Sequence, residues 1–182
     1  VDKETFAIAF SEKEQAEAIK EISLKVKLIF PKKIDFLIIL FTSDYNSKNL
    51  LRTINLTLKP QKILGLQSPF LIFENKIISN GVVACCINKD GMELYETFSK
   101  TIDSQEIEPF STSSLKELKK KNFSFFSFAT SQINPTAYIK RIKMSLGKFI
   151  DFMGGGFTKQ YFSYNSQIVN NELGNGLVSV AL

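Results

Sequence analysis

Hydrophobic positions along the chain switch between two periods. Ala16, Ile19, Ile22, Val26 and Ile29 recur at spacings of three and four, the stripe of an amphipathic helix that Pro31 ends. Ahead of it, Phe6 to Phe10 reads as a short strand, with Ser11 placed to cap the helix. Beyond it, Asp35 to Thr42 is almost continuously apolar over strand length, the pattern of a central strand covered on both faces. Ser43, Asp44 and Asn46 then supply turn and capping chemistry. Leu50, Leu51, Ile54 and Leu58 mark a second helix stopped by Pro60, and Ile63 to Leu66 forms a third strand. The opening of the chain therefore predicts β-α-β-α-β.

Past Ser68 the pattern changes to short strand-like runs, Phe70 to Ile78, Gly81 to Ile87 and Met92 to Phe98. They are separated by Asn80-Gly81 and Asp90-Gly91, dipeptides that favour tight hairpin turns. Ser114 and Glu117 have the spacing of a capping box for a short helix. Phe123 to Ala129 is a further strand, and Asn134 and Pro135 take the N-cap and N1 positions of a helix carrying Tyr138, Ile142, Leu146 and Phe149. Phe152 leads into a glycine loop, Gly154 to Gly156. Tyr161 to Tyr164 follows as a strand, with a turn at Asn165 and Ser166 and a last strand from Leu177 to Leu182. The expected fold class is α/β, a mixed sheet with packed helices. Its β-α-β-α-β start favours parallel pairing through right-handed crossovers, and the later hairpins add antiparallel strands.

Composition narrows the reading. A chain of 182 residues suits a single domain spanning 1–182, and 44% hydrophobic content with seventeen Phe and no Trp supports a packed aromatic interior. The net charge of +5 is spread evenly, thirteen Lys/Arg against ten Asp/Glu in residues 1–90 and ten against eight in 91–182. The densest basic run, Lys119 to Lys121, closes a short helix where cations complement the dipole. Without a groove-reading motif this argues against a nucleic-acid partner. No apolar stretch is long enough to span a bilayer and no signal peptide is visible, so no membrane partner is expected. Cys85 and Cys86 are neighbours on a strand and point to opposite faces, which disfavours a disulfide between them and suits buried thiols in a reducing cytoplasm. The chain begins with Val1 and is expected to belong to a longer product.

Candidate chemistry is sparse. Gly154, Gly155 and Gly156 form the only concentration of glycine, which either lets a ligand approach the backbone or permits tight packing of a strand on its neighbour. They lack the context of a nucleotide-binding fingerprint. Ser43 stands at the C-terminal end of the central strand, where open α/β sheets present ligands, and also fits a turn beside Asp44. Gln67 and Ser68 occupy the same end of the next strand, where they orient a polar ligand or satisfy a turn. Tyr161 and Tyr164 read as packing residues. With no histidine, a Ser-His-Asp triad is impossible and the cysteines lack a base. Glu93, Glu96, Asp103, Glu106 and Glu108 show no metal-binding spacing, although paired-carboxylate hydrolysis depends on tertiary distances that spacing does not reveal. We therefore expect binding rather than catalysis, and no cofactor.

Four features taken together resemble a known family. They are the strand Asp35 to Phe41 running into Thr42-Ser43, the helix to Leu58, the strand ending Gly65-Leu66-Gln67-Ser68, and Gly154-Gly155-Gly156 followed by an aromatic strand and a hairpin. Their order and spacing resemble the FIST N-terminal domain over nearly the whole chain. Pro69 and Phe70 depart from the family's small-residue turn, and its usual C-terminal partner domain has no counterpart here. The resemblance implies an intracellular signal-transduction module that binds a small ligand such as an amino acid and acts on a downstream signalling protein or domain. The expected site is Ser43, Gly65, Gln67, Ser68, Gly154, Gly155 and Gly156. Haem held through histidine, as in family members that resemble nitric-oxide sensors, is excluded for this segment. A scaffold or homodimerisation module using an exposed Phe-rich surface is the alternative, and an enzyme with an unrecognised acidic site is the third.

Overall fold

The computed structural model describes residues 6–29, 33–88, 95–99, 118–119, 124–130, 135–146, 151–157, 167–174 and 177–181. The chain divides into two compact units, Val1–Gly91 with Phe162–Gly174, and Met92–Tyr161 with Asn175–Leu182. The polypeptide passes between the units three times.

In the first unit, β1 (Phe6–Ser11), α1 (Gln15–Ile29), β2 (Phe36–Thr42), α2 (Ser47–Thr57) and β3 (Lys62–Ser68) follow the predicted β-α-β-α-β order. The small strands β4 (Leu71–Phe73) and β5 (Lys76–Ile78) come next, then β6 (Val82–Ile87). Much later in the chain, β10 (Gln167–Val169) and β11 (Glu172–Gly174) return to this unit. Its sheet has the order β1-β6-β2-β3-β10-β11. The β2–β3 pair is parallel and the other pairs are antiparallel.

Because β6 is antiparallel to both β1 and β2, strands β1, β2 and β3 share one direction, yet β1 and β2 do not pair. The expected parallel pairing across the first crossover is thus corrected: β6 takes the slot between them. Side-chain alternation explains the choice. Phe6 and Ile8 on β1 are exposed, as suits an edge strand, whereas Val82, Ala84 and Cys86 are buried. Both crossovers advance in the same direction along the sheet, so a common hand puts α1 and α2 on one face. There Ile19, Ile22, Val26, Leu50 and Ile54 pack with Leu37, Ile39, Phe41, Ala84 and Ile168 in one buried core.

Three local readings also change. Ser11 does not cap α1; it ends β1, and the helix starts four residues later. Phe70 to Ile78 is not one strand but the β4–β5 hairpin, turning at Glu74-Asn75 with Glu74 at φ 53. Nor does Asn80-Gly81 join paired strands, since β5 pairs with β4 and β6 with β1 and β2. Gly81 has a packing reason instead: a Cβ there would lie 2.8 Å from Ile78 Cγ2 and 3.0 Å from the Ser11 carbonyl oxygen. The hairpin is fixed to the sheet by Phe73, stacked on Phe10 with ring centroids 5.0 Å apart.

The second unit holds a four-stranded sheet of β7 (Tyr95–Ser99), β8 (Ser124–Thr130), β9 (Asp151–Phe157) and β12 (Leu177–Ala181), in the order β7-β12-β8-β9. The parallel β8–β9 pair is joined through α3 (Pro135–Leu146), as a parallel connection requires. Gly154, Gly155 and Gly156 lie inside β9, opposite Ser127, Phe128 and Ala129, so the expected glycine loop is corrected to a strand. Glycine weakens a strand through backbone entropy, but β9 ends the strand order and has one described neighbour. Pro31, the Asp90-Gly91 turn, the Ser114 and Glu117 capping box, Asn134, and the strand and turn expected over 161–166 lie outside the described residues. The fold is α/β with mixed sheets, and no helix among the described residues is long and apolar enough to cross a membrane.

Candidate functional site

Polar side chains rarely enter a core without a structural or functional reason. Among the described residues five are buried: Ser11, Ser23, Thr42, Gln67 and Gln167. Ser23 belongs to α1. The other four stand at one end of the six-stranded sheet, because register aligns Ser11 with Val82, Val82 with Phe41, Phe41 with Gln67, Thr42 with Ser68, and Leu66 with Gln167. This is the carboxyl-terminal end of β1, β2 and β3, the rim where open α/β sheets place ligands.

Local bonding builds the rim. Thr42 and Gly81 clasp each other: the Thr42 Oγ1 accepts from the Gly81 N–H at 3.1 Å, and the Thr42 N–H donates to the Gly81 carbonyl at 3.1 Å. Asn46 caps α2 by accepting from the Asn49 N–H at 3.0 Å, as the capping pattern predicts. Its own backbone is gripped by Gln15, which donates to the Asn46 carbonyl at 3.1 Å and accepts from the Asn46 N–H at 3.0 Å. The buried Tyr45 hydroxyl donates to the Lys13 carbonyl. The loops after β1 and β2 are therefore tied to each other. Burial pushes the Tyr45 phenol above its ordinary value, and the charges of Asp44 and Glu12 push it the same way.

A second tie joins α1 to β1. The Ser11 hydroxyl donates to Glu21 at 2.7 Å, and Lys25 approaches the same carboxylate at 2.8 Å while donating to the Phe10 carbonyl at 2.7 Å. The Lys25 hydrogen bond, followed by that from Ser11, holds the Glu21 carboxyl down at about 2.

Of the expected site residues, Ser43, Gln67 and Ser68 meet at this rim. Gln67 is only 6% exposed, and its Nε2 reaches the Ser43 and Tyr45 carbonyls at 3.5 and 3.4 Å, long contacts by hydrogen-bond standards. The exposed Ser43 is in the turn, and the Ser68 hydroxyl donates to the Phe70 carbonyl at 2.7 Å. Gly65 lies two residues back on β3, where Ile168 fills the space a side chain would take. Gly154, Gly155 and Gly156 belong to the second unit. Sequence reading missed Tyr45 and Gln167. The available signals were an aromatic residue set among turn formers in Asp44-Tyr45-Asn46 and a glutamine heading the apolar pair Ile168-Val169.

Among the described residues no other chemistry is assembled. Burial pushes both thiols up, Cys86 to about 12, so neither is an activated nucleophile. Among the described residues no group of three or more His, Cys, Asp or Glu side chains is placed to hold a metal ion. No family model and no curated protein matches the chain. The rim offers hydroxyls, the carboxamides of Gln67 and Gln167 and the exposed carboxylates Glu12 and Asp44, which is equipment for holding a polar molecule.

Proposed function

We propose that the chain is a cytoplasmic sensory domain that binds a small polar ligand, such as an amino acid, at the carboxyl-terminal rim of its six-stranded sheet. The observation that carries this reading is the gathering of Ser11, Thr42, Gln67 and Gln167 at that one end. Ser43, Gln67 and Ser68 are the nominated contacts. Long contacts at the Gln67 Nε2 mean that little hydrogen-bond energy is lost if a ligand reorients the carboxamide. Gly65 serves the site through packing, and Gly154 to Gly156 keep the close-approach role as residues of a strand. The resemblance to the FIST N-terminal domain supports the same reading. In this mechanism the ligand favours one arrangement of the rim loops, and its differential affinity sets the signal passed to a downstream partner. No enzymatic step is assigned.

A thermal-shift screen against amino acids, nucleotides and common metabolites tests the proposal, since a ligand of the native state raises apparent stability. A saturable shift with one chemical class, abolished in Gln67→Ala, is expected. Shifts that persist unchanged in Gln67→Ala would place the ligand elsewhere.

One feature favours a second reading, a scaffold or homodimerisation module. In the β4–β5 hairpin Leu71 and Ile78 are buried, but their neighbours Ile72 and Ile77 form a cross-strand pair exposed by 69% and 76%. Phe70 beside them, and Phe6 and Ile8 on the edge strand β1, are exposed as well. Concentration-dependent sedimentation lost in Ile72→Ser with Ile77→Ser would support association through this hairpin.

A further inference from the structure

The Asn80-Gly81 dipeptide is no hairpin turn in this fold, yet the fold requires its glycine. A Cβ at residue 81 would crowd Ile78 Cγ2 at 2.8 Å and the Ser11 carbonyl oxygen at 3.0 Å, and Gly81 is buried. Asn80 is under no such demand. It is exposed, and no hydrogen bond among the described residues engages its carboxamide. Packing therefore fixes a glycine directly after a free asparagine, and that pair has a chemistry of its own.

Asparagine followed by glycine deamidates readily, because no side chain shields the next amide nitrogen. Once base has taken the proton of the Gly81 N–H, the nitrogen bonds to Asn80 Cγ, the Cγ–Nδ2 bond breaks and ammonia leaves. Water then opens the resulting succinimide at either carbonyl, giving aspartate or isoaspartate at position 80. In the folded chain the nucleophile is withheld. The Gly81 N–H donates to the Thr42 Oγ1 at 3.1 Å in a buried bond, and the Gly81 carbonyl accepts from the Thr42 N–H at 3.1 Å. Thr42 is itself fully buried, so the proton that must leave faces the interior and is out of reach of solvent base.

We propose that Asn80 is a site of spontaneous modification gated by Thr42: it deamidates only through openings of the Thr42–Gly81 clasp. The chain and water are the only reactants, and the proposal holds whether or not the rim binds a ligand. The aspartyl product keeps the backbone and adds one negative charge beside the clasp. In the isoaspartyl product the backbone runs through the former side chain and is one carbon longer ahead of Gly81, so the Gly81 N–H no longer registers with the Thr42 hydroxyl. A buried donor is then left without its acceptor, and a clasp opened once is kept open by the modification.

The test follows Asn80 by peptide mapping and mass spectrometry in the full chain at alkaline pH, folded and in guanidinium chloride. The folded chain should deamidate there at least about tenfold more slowly, because the reactive form is reached only by local opening. Thr42→Val removes the acceptor while nearly keeping the shape and should return most of the lost rate; Thr42→Ser keeps the hydroxyl and should not. Ile168→Ala weakens the core away from the clasp and, where the chain stays folded, should leave the Asn80 rate near that of the parent. Should Thr42→Val fail to fold, hydrogen exchange of the Gly81 amide in the parent decides, since exchange and deamidation remove the same proton: their protection relative to the denatured chain should agree within about threefold. Equal Asn80 rates in folded and denatured chain, Thr42→Val no faster than Ile168→Ala, or a fast-exchanging Gly81 amide beside a slow Asn80 would each overturn the gate.

Discussion

Gly65 on β3 and Ile168 on β10 face each other across an antiparallel pair, and the isoleucine occupies the volume that any side chain at position 65 would need. A Cβ on residue 65 would stand 2.7 Å from the Ile168 Cβ, closer than real side chains approach. Ile168 is fully buried in the core shared with α1 and α2, although it enters the unit a hundred residues after the helices. The pair therefore locks the late hairpin onto the early sheet. Gly65→Ala should destabilise the chain by about 1–3 kcal/mol through overpacking, and Ile168→Ala by about 2–5 kcal/mol through a cavity. The double variant should lose clearly less than the two combined, because truncating Ile168 makes room for the new methyl group. Urea denaturation measures all three; additive losses would mean the residues do not compete for one space.

That lock shows where the sequence was readable and where it was not. The stripe from Ile19 to Val26 and the apolar run Asp35 to Thr42 announced α1 and β2, because local period decides helix against strand. Ser43 and Gln67 were legible as rim residues, since both follow from where a parallel strand ends. Strand order was not, because the insertion of β6 between β1 and β2 depends on partners forty or more residues apart. The β10–β11 hairpin escaped notice because its strands have three residues each, too few to show alternation. Three consecutive glycines read as a loop because strand propensity was judged locally, whereas β9 is held by its pairing with β8.

The turn of that hairpin makes a second prediction. Asn170 has φ 54, its N–H donates to the Ile63 carbonyl at 2.8 Å, and its Oδ1 accepts from the Ile63 N–H at 3.1 Å. Asn171 accepts from Asn55 of α2 at 3.0 Å, so the turn is bonded to both β3 and α2. Asn170→Gly keeps the left-handed conformation and loses the side-chain bond, for a cost of about 0.5–1.5 kcal/mol. Asn170→Ala loses the bond and adds the strain of a positive φ, so it should be worse by about 1 kcal/mol. Equal stabilities of the two variants in chemical denaturation would show that the conformation contributes nothing.

The cysteines give a third. Adjacent on β6, Cys85 aligns with Ile38 and is half-buried, while Cys86 aligns with Leu37 and is fully buried in the helix-covered core. Burial raises both thiols, and the thiolate is the reacting form, so alkylation of the folded chain at pH 8 should be slow and should accelerate as pH rises above 9. Mass spectrometry should find Cys85 modified first and Cys86 only once the chain is unfolded. Rapid labelling of Cys86 under native conditions would contradict its place in the core.

The clamp between α1 and β1 gives the last, and its sign can be worked out. Glu21 has its carboxyl lowered from 4.5 to about 2 by Lys25, Ser11 and, more weakly, Lys13. The folded state thus prefers the charged form, and between those two values the unfolded chain binds more protons. Stability from this group is therefore complete above pH 4.5 and is lost as pH falls toward 2. Melting temperature should drop across that window, and Glu21→Gln should flatten the drop while melting lower than the parent at neutral pH. Added salt should shrink the difference, since Lys13 and Lys25 are about half exposed and their charges are screened. Because Ser11 is both a partner of Glu21 and a rim residue, the same variant should loosen the loop after β1, and hydrogen exchange at Glu12 and Lys13 should quicken with it. A variant that melts lower with unchanged exchange there would separate the clamp from the rim.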